Sequence, residues 1–239
     1  MAELIKRWER SKKWTPASPG GGSQGFSVEC SASGELGHAK PVQFTQEVLA
    51  SLLAQVVAVM VPHARLGICD QRTVAVSRLW GAKSMDVPSM RTTSPQDFAS
   101  DVMKAALRQA SGLLPFHAWL GTQDLKDEHV MVRPRTGRRE YEVAGIDFAS
   151  AFGWDASGGA VALPQGPPIL ILAEHRDTGV IQQVLARIER ISETCLRETV
   201  DLLPDSVLPQ PEKSRIVNGL NTRRSAIRPV LHNVGWLSQ

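Results

Sequence analysis

The sequence predicts an α+β chain in two lobes around a cleft, a small β-rich lobe with one helix followed by a mainly helical lobe. Three observations carry that expectation. Short strand-like runs bounded by Gly, Pro, Asp and Ser fill residues 26–80, with a single amphipathic stretch among them. Beyond residue 94 the apolar residues recur mostly at helical spacing. Inside that helical half lies one hairpin-like stretch, residues 119–154, bracketed by Asp124 and Asp147. At 239 residues the chain is long enough for two such lobes or for one large core.

The elements are expected in the following order. Residues 1–14 suit a short helix with Leu4, Ile5 and Trp8 on one side, and the Gly/Ser/Pro-rich run to Gly25 suits a flexible linker, so 1–25 reads as a basic tail. Phe26 to Lys40 reads as a β-hairpin turning through Ser33 to Gly37. Glu47 to Val61 reads as a helix with Val48, Leu49, Leu52, Leu53, Val56, Val57 and Met60 on one face, stopped by Pro62. Two strands follow, Arg65–Cys69 and Thr73–Trp80, around a turn at Asp70-Gln71. Residues 81–95 read as a loop, and Ser94-Pro95 opens a helix to about Gly112. The apolar segment Leu113 to Trp119 suits a core position, with His117 a satisfied core or boundary histidine. Past a Gly/Pro-rich loop at 155–168, a helix over 177–201 and another over 212–233 close the chain, the latter with Arg223-Arg224 opposite its apolar face.

Composition narrows the function classes. With 42% hydrophobic and 21% charged residues the chain is ordinary globular material, and no apolar run approaches the roughly 20 residues that span a bilayer. Cys30, Cys69 and Cys195 are odd in number and widely spaced, which indicates neither a disulfide framework nor a structural zinc site. The start lacks a signal-peptide core, and a cytoplasmic location is the expectation. The net charge of +3 is accounted for by residues 1–14, so no nucleic-acid-binding surface is indicated.

The hairpin stretch carries the chemistry. Its arms are His129–Val132 and Tyr141–Ile146, and antiparallel strands return the chain to its starting edge, so Asp124 and Asp147 can face one cleft. Phosphoryl transfer needs such a pair: one carboxylate to orient or deprotonate the attacking hydroxyl, another to hold magnesium. Earlier in the chain, Gly34 and Gly37 would let a turn approach phosphates, and Lys40 at the end of the next strand could reach their oxygens.

The stretch resembles the catalytic loop, hairpin and metal-binding Asp of HipA-like kinases, with Asp124 matching the catalytic Asp and Ile146-Asp147-Phe148 the metal motif. Ala39-Lys40-Pro41 resembles the strand that ends in a nucleotide-binding Lys. Glu47 matches a Glu at the head of the next helix that approaches this lysine, although a plain first-turn carboxylate would also suit the helix dipole. Leu203-Pro204-Asp205 and Leu220 to Arg224 resemble the family's closing Pro turn and Leu-x-x-Arg helix. The resemblance spans roughly residues 26–232 and implies a two-lobed, protein-kinase-like fold: a nucleotide lobe over 26–80, a helical lobe over 81–239, ATP and magnesium as cofactors, and a protein Ser/Thr hydroxyl as acceptor.

The chain departs from the pattern at Lys126, where a His is common, and at His129, where the family has a metal-binding Asn. A neutral imidazole favours softer ions than magnesium, which raises manganese as the ion. It also leaves open a pseudokinase that acts as an interaction module. A third possibility is a metal-dependent phosphodiesterase using Asp124, Asp127, His129 and Asp147, with Asp127 either an inward ligand or a solvated loop carboxylate.

Overall fold

The computed structural model describes residues 6–10, 26–30, 33, 36–40, 43–78, 84–135, 140–153, 169–233 and 235–237. The expected linker at 15–25 and loop at 155–168 lie outside them.

The first lobe is a barrel with one helix on its flank. Strands β1 (Lys6–Arg10), β2 (Phe26–Cys30), β3 (Leu36–Lys40), β4 (Ala64–Cys69) and β5 (Arg72–Arg78) close in the order β1-β2-β3-β5-β4. The expected helix over 1–14 is corrected by β1, which pairs antiparallel with β2 and parallel with β4. Ladder hydrogen bonds on both edges outweigh a short segment's helical spacing. Alternation along the strands gives the barrel its own small core of Val28, Cys30, Ala39, Cys69, Val74 and Val76. Ala64 and Ala75, on the opposite strand faces, join the larger core under α1 (Phe44–Val57), which packs over β4 and β5.

Helix α1 buries Val48, Leu49, Leu53 and Val57, as its periodicity predicts. It ends earlier than expected. Ala58 takes a left-handed conformation, φ 55°, so the chain turns before Pro62 and leaves Met60 exposed.

The second lobe has more structure between residues 84 and 112 than its sequence suggests. A two-residue strand β6 (Met85–Asp86) leads into α2 (Val87–Thr93), where a loop was expected, because Asp86 accepts the Ser89 N–H at 2.7 Å and Pro88 sits in the first turn. The following helix is broken into α3 (Pro95–Phe98) and α4 (Asp101–Gln109) by Ser100, whose hydroxyl caps α4 at the Met103 N–H. Helix α5 (Leu113–Leu120) is buried along its whole length. Strands β7 (Val130–Pro134) and β8 (Tyr141–Gly145) form the expected hairpin and complete a small sheet in the order β6-β7-β8.

After α6 (Leu170–Glu174), the helix expected over 177–201 is two: α7 (Thr178–Arg190) and α8 (Glu193–Asp201). Ser192 caps α8 by accepting the Cys195 N–H, which fixes the break. Helix α9 (Gln210–Asn233) packs against α5, α7 and α8. Its Arg223, expected on the polar side, is 6% exposed, because its guanidinium is committed to the end of α5. Among the described residues no helix is long and apolar enough to cross a membrane.

Candidate active site

The site is assembled by elements that each deliver one charged side chain. Strand β3 turns Ala39 into the barrel, which leaves Lys40 on the outer face toward α1. In the first turn of α1, Glu47 accepts a hydrogen bond from Lys40 Nζ at 2.6 Å and another from the Phe148 backbone N–H at 3.1 Å. Lys40 Nζ also donates to Asp147 Oδ1 at 3.0 Å. Two carboxylates, 7 and 107 residues from Lys40 in the chain, thus converge on one ammonium group, drawing both lobes together.

The side chains of Lys40, Glu47 and Asp147 are 14%, 12% and 26% exposed, so their charges act through little water. Burial alone would lower the Lys40 pKa, but Glu47 and then Asp147 outweigh it and raise it. Burial pushes Glu47 up further than Lys40 pulls it down. Asp147 goes the other way: burial would raise it, yet Lys40, His129 and the Ala149 N–H together hold it below the usual carboxylate range. One ammonium against two carboxylates leaves the cluster an excess of negative charge, which suits a cation.

Backbone geometry aims Asp147. The residue has φ 61°, a left-handed conformation that Asp tolerates better than most side chains and that is costly enough to need support. Support comes from both sides: the Ile146 N–H donates to the His129 carbonyl at 2.8 Å, and Phe148 is fully buried with its ring stacked on His117 at 4.8 Å. The Gly145 N–H donates to the Met60 carbonyl, and a Cβ at Gly145 would lie 2.6 Å from the buried Leu113 side chain. His129 ends a short turn of 3₁₀ helix before β7, and its Nε2 lies 3.7 Å from Asp147 Oδ2.

Asp124 belongs to the loop after α5, which ends at Gly121 in the left-handed region, φ 64°. Arg223 donates twice to the Ala118 carbonyl, at 3.1 and 2.9 Å, adding to the longer bond that this helix-end acceptor takes from the Gly121 N–H at 3.3 Å, and Trp119 Nε1 donates to the Leu220 carbonyl at 3.0 Å. The Leu220 to Arg223 pattern therefore anchors the helix that supports the Asp124 loop. That loop is tied to the Asp147 segment by Ser150 Oγ, which accepts the Gln123 and Asp124 N–H groups at 3.2 and 3.0 Å, and by the Phe152 N–H to the Leu120 carbonyl at 2.9 Å. The Asp124 carboxylate is open to solvent and paired with Lys126 at 3.0 Å.

No protein-family model matches the chain, and no curated protein matches it. Solved structures do match. The proinflammatory kinase CtkA of Helicobacter pylori superposes with a TM-score of 0.67 at 16% identity, over 92% of this chain and 94% of that one. A chain of the Shewanella oneidensis toxin–antitoxin complex of HipA, HipB and operator DNA superposes with a TM-score of 0.56 at 12% identity, over 95% of this chain and 70% of that one. The chain shares the fold of these two structures.

Within this fold the expected residues divide into groups. Lys40, Glu47, Asp147 and His129 stand together, and Asp124 is joined to them through Ser150. Gly37 is not in a turn: it is a strand residue paired with Val28 and Arg78. Gly34 lies outside the described residues. Asp127 is committed elsewhere, its Oδ1 accepting the Ile171 N–H at 3.1 Å, which weakens the phosphodiesterase alternative. Among the described residues no group of three or more His, Cys, Asp or Glu gathers to hold a metal. The donor pair Asp147 and His129 does fit one: donors 3.7 Å apart lie within the span of two bonds of about 2.1 Å. Such a two-donor site suits an ion whose other ligands are phosphates and water.

The sequence does not announce that the Ser150 hydroxyl ties the Asp124 loop to the Asp147 segment, or that the Phe152 backbone bonds to Leu120. Ser and Phe in a Gly-containing stretch give no local pattern for such contacts.

Proposed function

We propose that the chain is a kinase that transfers the γ-phosphoryl group of ATP to a hydroxyl acceptor, a protein serine or threonine. The observation that carries this is the Lys40 ammonium held between Glu47 and Asp147 at the junction of the two lobes. Residues 26–80 would bind the nucleotide and the helical lobe from residue 81 would supply the catalytic loop. Lys40 exchanges its contact with Asp147 for nucleotide phosphate oxygens while Glu47 keeps it aimed. Asp124, open to solvent, orients the acceptor hydroxyl. The acceptor oxygen bonds to the γ-phosphorus, the bond to the bridging oxygen breaks, the acceptor proton passes to Asp124, and ADP leaves. A magnesium or manganese ion held by Asp147 and His129 would neutralise charge on the transferred group.

One observation favours a second function, a pseudokinase that binds partners without turnover. His129 stands where the related pattern has a metal-binding Asn, and Asp147 Oδ1 is already taken by Lys40. Thermal unfolding with and without ATP and manganese tests nucleotide binding, because a ligand of the folded state raises Tm by mass action. A rise in wild type that Lys40→Met removes is expected. No rise at millimolar ATP would exclude both the kinase and a nucleotide-binding pseudokinase.

A further inference from the structure

A concavity is lined by residues that adjoin the ion cluster in sequence. It has a volume of about 560 Å³ and is walled by Gln43, Gln46, Gln123, Ser150 and Arg215, with backbone from Ala149 to Gly153. It is a shallow depression open to solvent, a shape that suits a segment of chain laid across it rather than an enclosed small molecule. Its position follows from the chain: Gln46 precedes Glu47, Gln123 precedes Asp124, and Ala149 and Ser150 come just after Asp147. The segments that deliver the site's carboxylates therefore each place a neighbouring residue in this pocket.

The described lining mixes polar and apolar surface and is close to neutral. Gln43, Gln46 and Gln123 are carboxamides, each with donors and an acceptor. Among the described residues the one charged side chain there, Arg215, is paired with Glu212 and also donates to the Phe152 carbonyl. Among the described residues no carboxylate lines the pocket, and the Arg215 guanidinium is already paired. Such a surface neither attracts acidic segments nor repays the desolvation of basic ones, while it hydrogen-bonds uncharged polar groups on both their donor and acceptor sides.

We propose that this pocket is the acceptor subsite and selects a hydroxyl-bearing peptide segment flanked by uncharged polar residues. The inference rests on the kinase function above and names the chemistry of its acceptor. The Ser150 hydroxyl, which lines the pocket, is one hydrogen bond from the Asp124 backbone, so a segment seated there is next to the residue that would orient its hydroxyl.

The test uses the full chain with labelled ATP and manganese and three pools of serine and threonine peptides, flanked by Asn and Gln, by Asp and Glu, or by Lys and Arg. The expected result is preferential labelling of the neutral pool, with Gln43→Ala and Gln46→Ala together raising KM for that pool about tenfold and leaving ATP affinity, read by calorimetry, unchanged. Preference for the acidic or basic pool, an unchanged KM in the double variant, or ATP binding without labelling of any pool would each overturn the inference while leaving nucleotide binding intact. Failure to bind ATP at all would overturn the kinase function and the subsite with it.

Discussion

Lys40 and Glu47 are joined at 2.6 Å across the gap between β3 and α1, and the same Glu47 oxygen accepts the backbone N–H of Phe148 in the helical lobe. One carboxylate thus orients the lysine and fixes the segment that carries Asp147. Replacing Glu47 by Gln removes the charge but keeps the shape. A charge-assisted hydrogen bond is worth about 1.5–3 kcal/mol, so kcat/KM for phosphoryl transfer is expected to fall roughly 10- to 100-fold. Steady-state kinetics on the variant checks this, and an unchanged kcat/KM would mean that Lys40 needs no orienting partner.

Arg223 holds the Ala118 carbonyl through two N–H groups, and it is nearly inaccessible to water. Arg223→Met keeps the packing stem and removes the two charge-assisted hydrogen bonds to that buried acceptor, leaving only the longer one from the Gly121 N–H at 3.3 Å, at a cost of about 1.5–3 kcal/mol. Urea unfolding should show a lower midpoint with the same slope. Because α5 leads directly into the Asp124 loop, activity in the variant should fall as well, by an amount that lowering the temperature partly restores.

How much of this was legible in the sequence depended on the kind of signal. Asp124 and Asp147 stand out because a hairpin lies between them, Lys40, Glu47 and His129 stand out through their places in the resemblance to HipA-like kinases, and α1 stands out because Val48, Leu49, Leu53 and Val57 share one face. Lys6–Arg10 does not, since its strand identity comes from two distant partners, β2 and β4, rather than from its own pattern. The break between α7 and α8 was hidden by apolar residues that keep helical spacing through Ile188, Ile191 and Cys195, although Ser192-Glu193 carried the cap signal. Arg223 looked like a surface charge because its acceptor, the Ala118 carbonyl, lies 105 residues away.

Acid sensitivity should have a histidine origin. Burial holds the His117 pKa down to about 3, with His129 adding to the effect, and burial with Lys40 holds His38 down to about 4. Both are lowered in the folded state, so their stabilisation is complete above the unfolded value of about 6.5 and is lost as pH falls toward the folded values. Between about pH 6 and pH 4 stability should drop by as much as about 1.4 kcal/mol per pH unit for each histidine. Denaturant titrations across that range should show the slope, and His117→Gln should reduce it. An unchanged slope in that variant would assign the acid sensitivity to other groups.

His129 is expected to set the metal preference. With an imidazole Nε2 facing Asp147 Oδ2 at 3.7 Å, wild type should turn over faster with manganese than with magnesium. His129→Asn replaces nitrogen by oxygen and should shift the ratio toward magnesium by roughly tenfold. Parallel rate measurements with each ion decide it, and an unaltered ratio would remove His129 from the metal site.

The most direct measurement is the consumption of γ-labelled ATP in manganese by wild type and by Asp147→Ala, with folding of both confirmed by their unfolding curves. Asp147 is the one carboxylate that meets Lys40 and faces His129, so transfer should proceed in wild type and fall by about 100-fold or more in the variant. Equal consumption by the two proteins, or none by a wild type that binds ATP, would contradict phosphoryl transfer at this site.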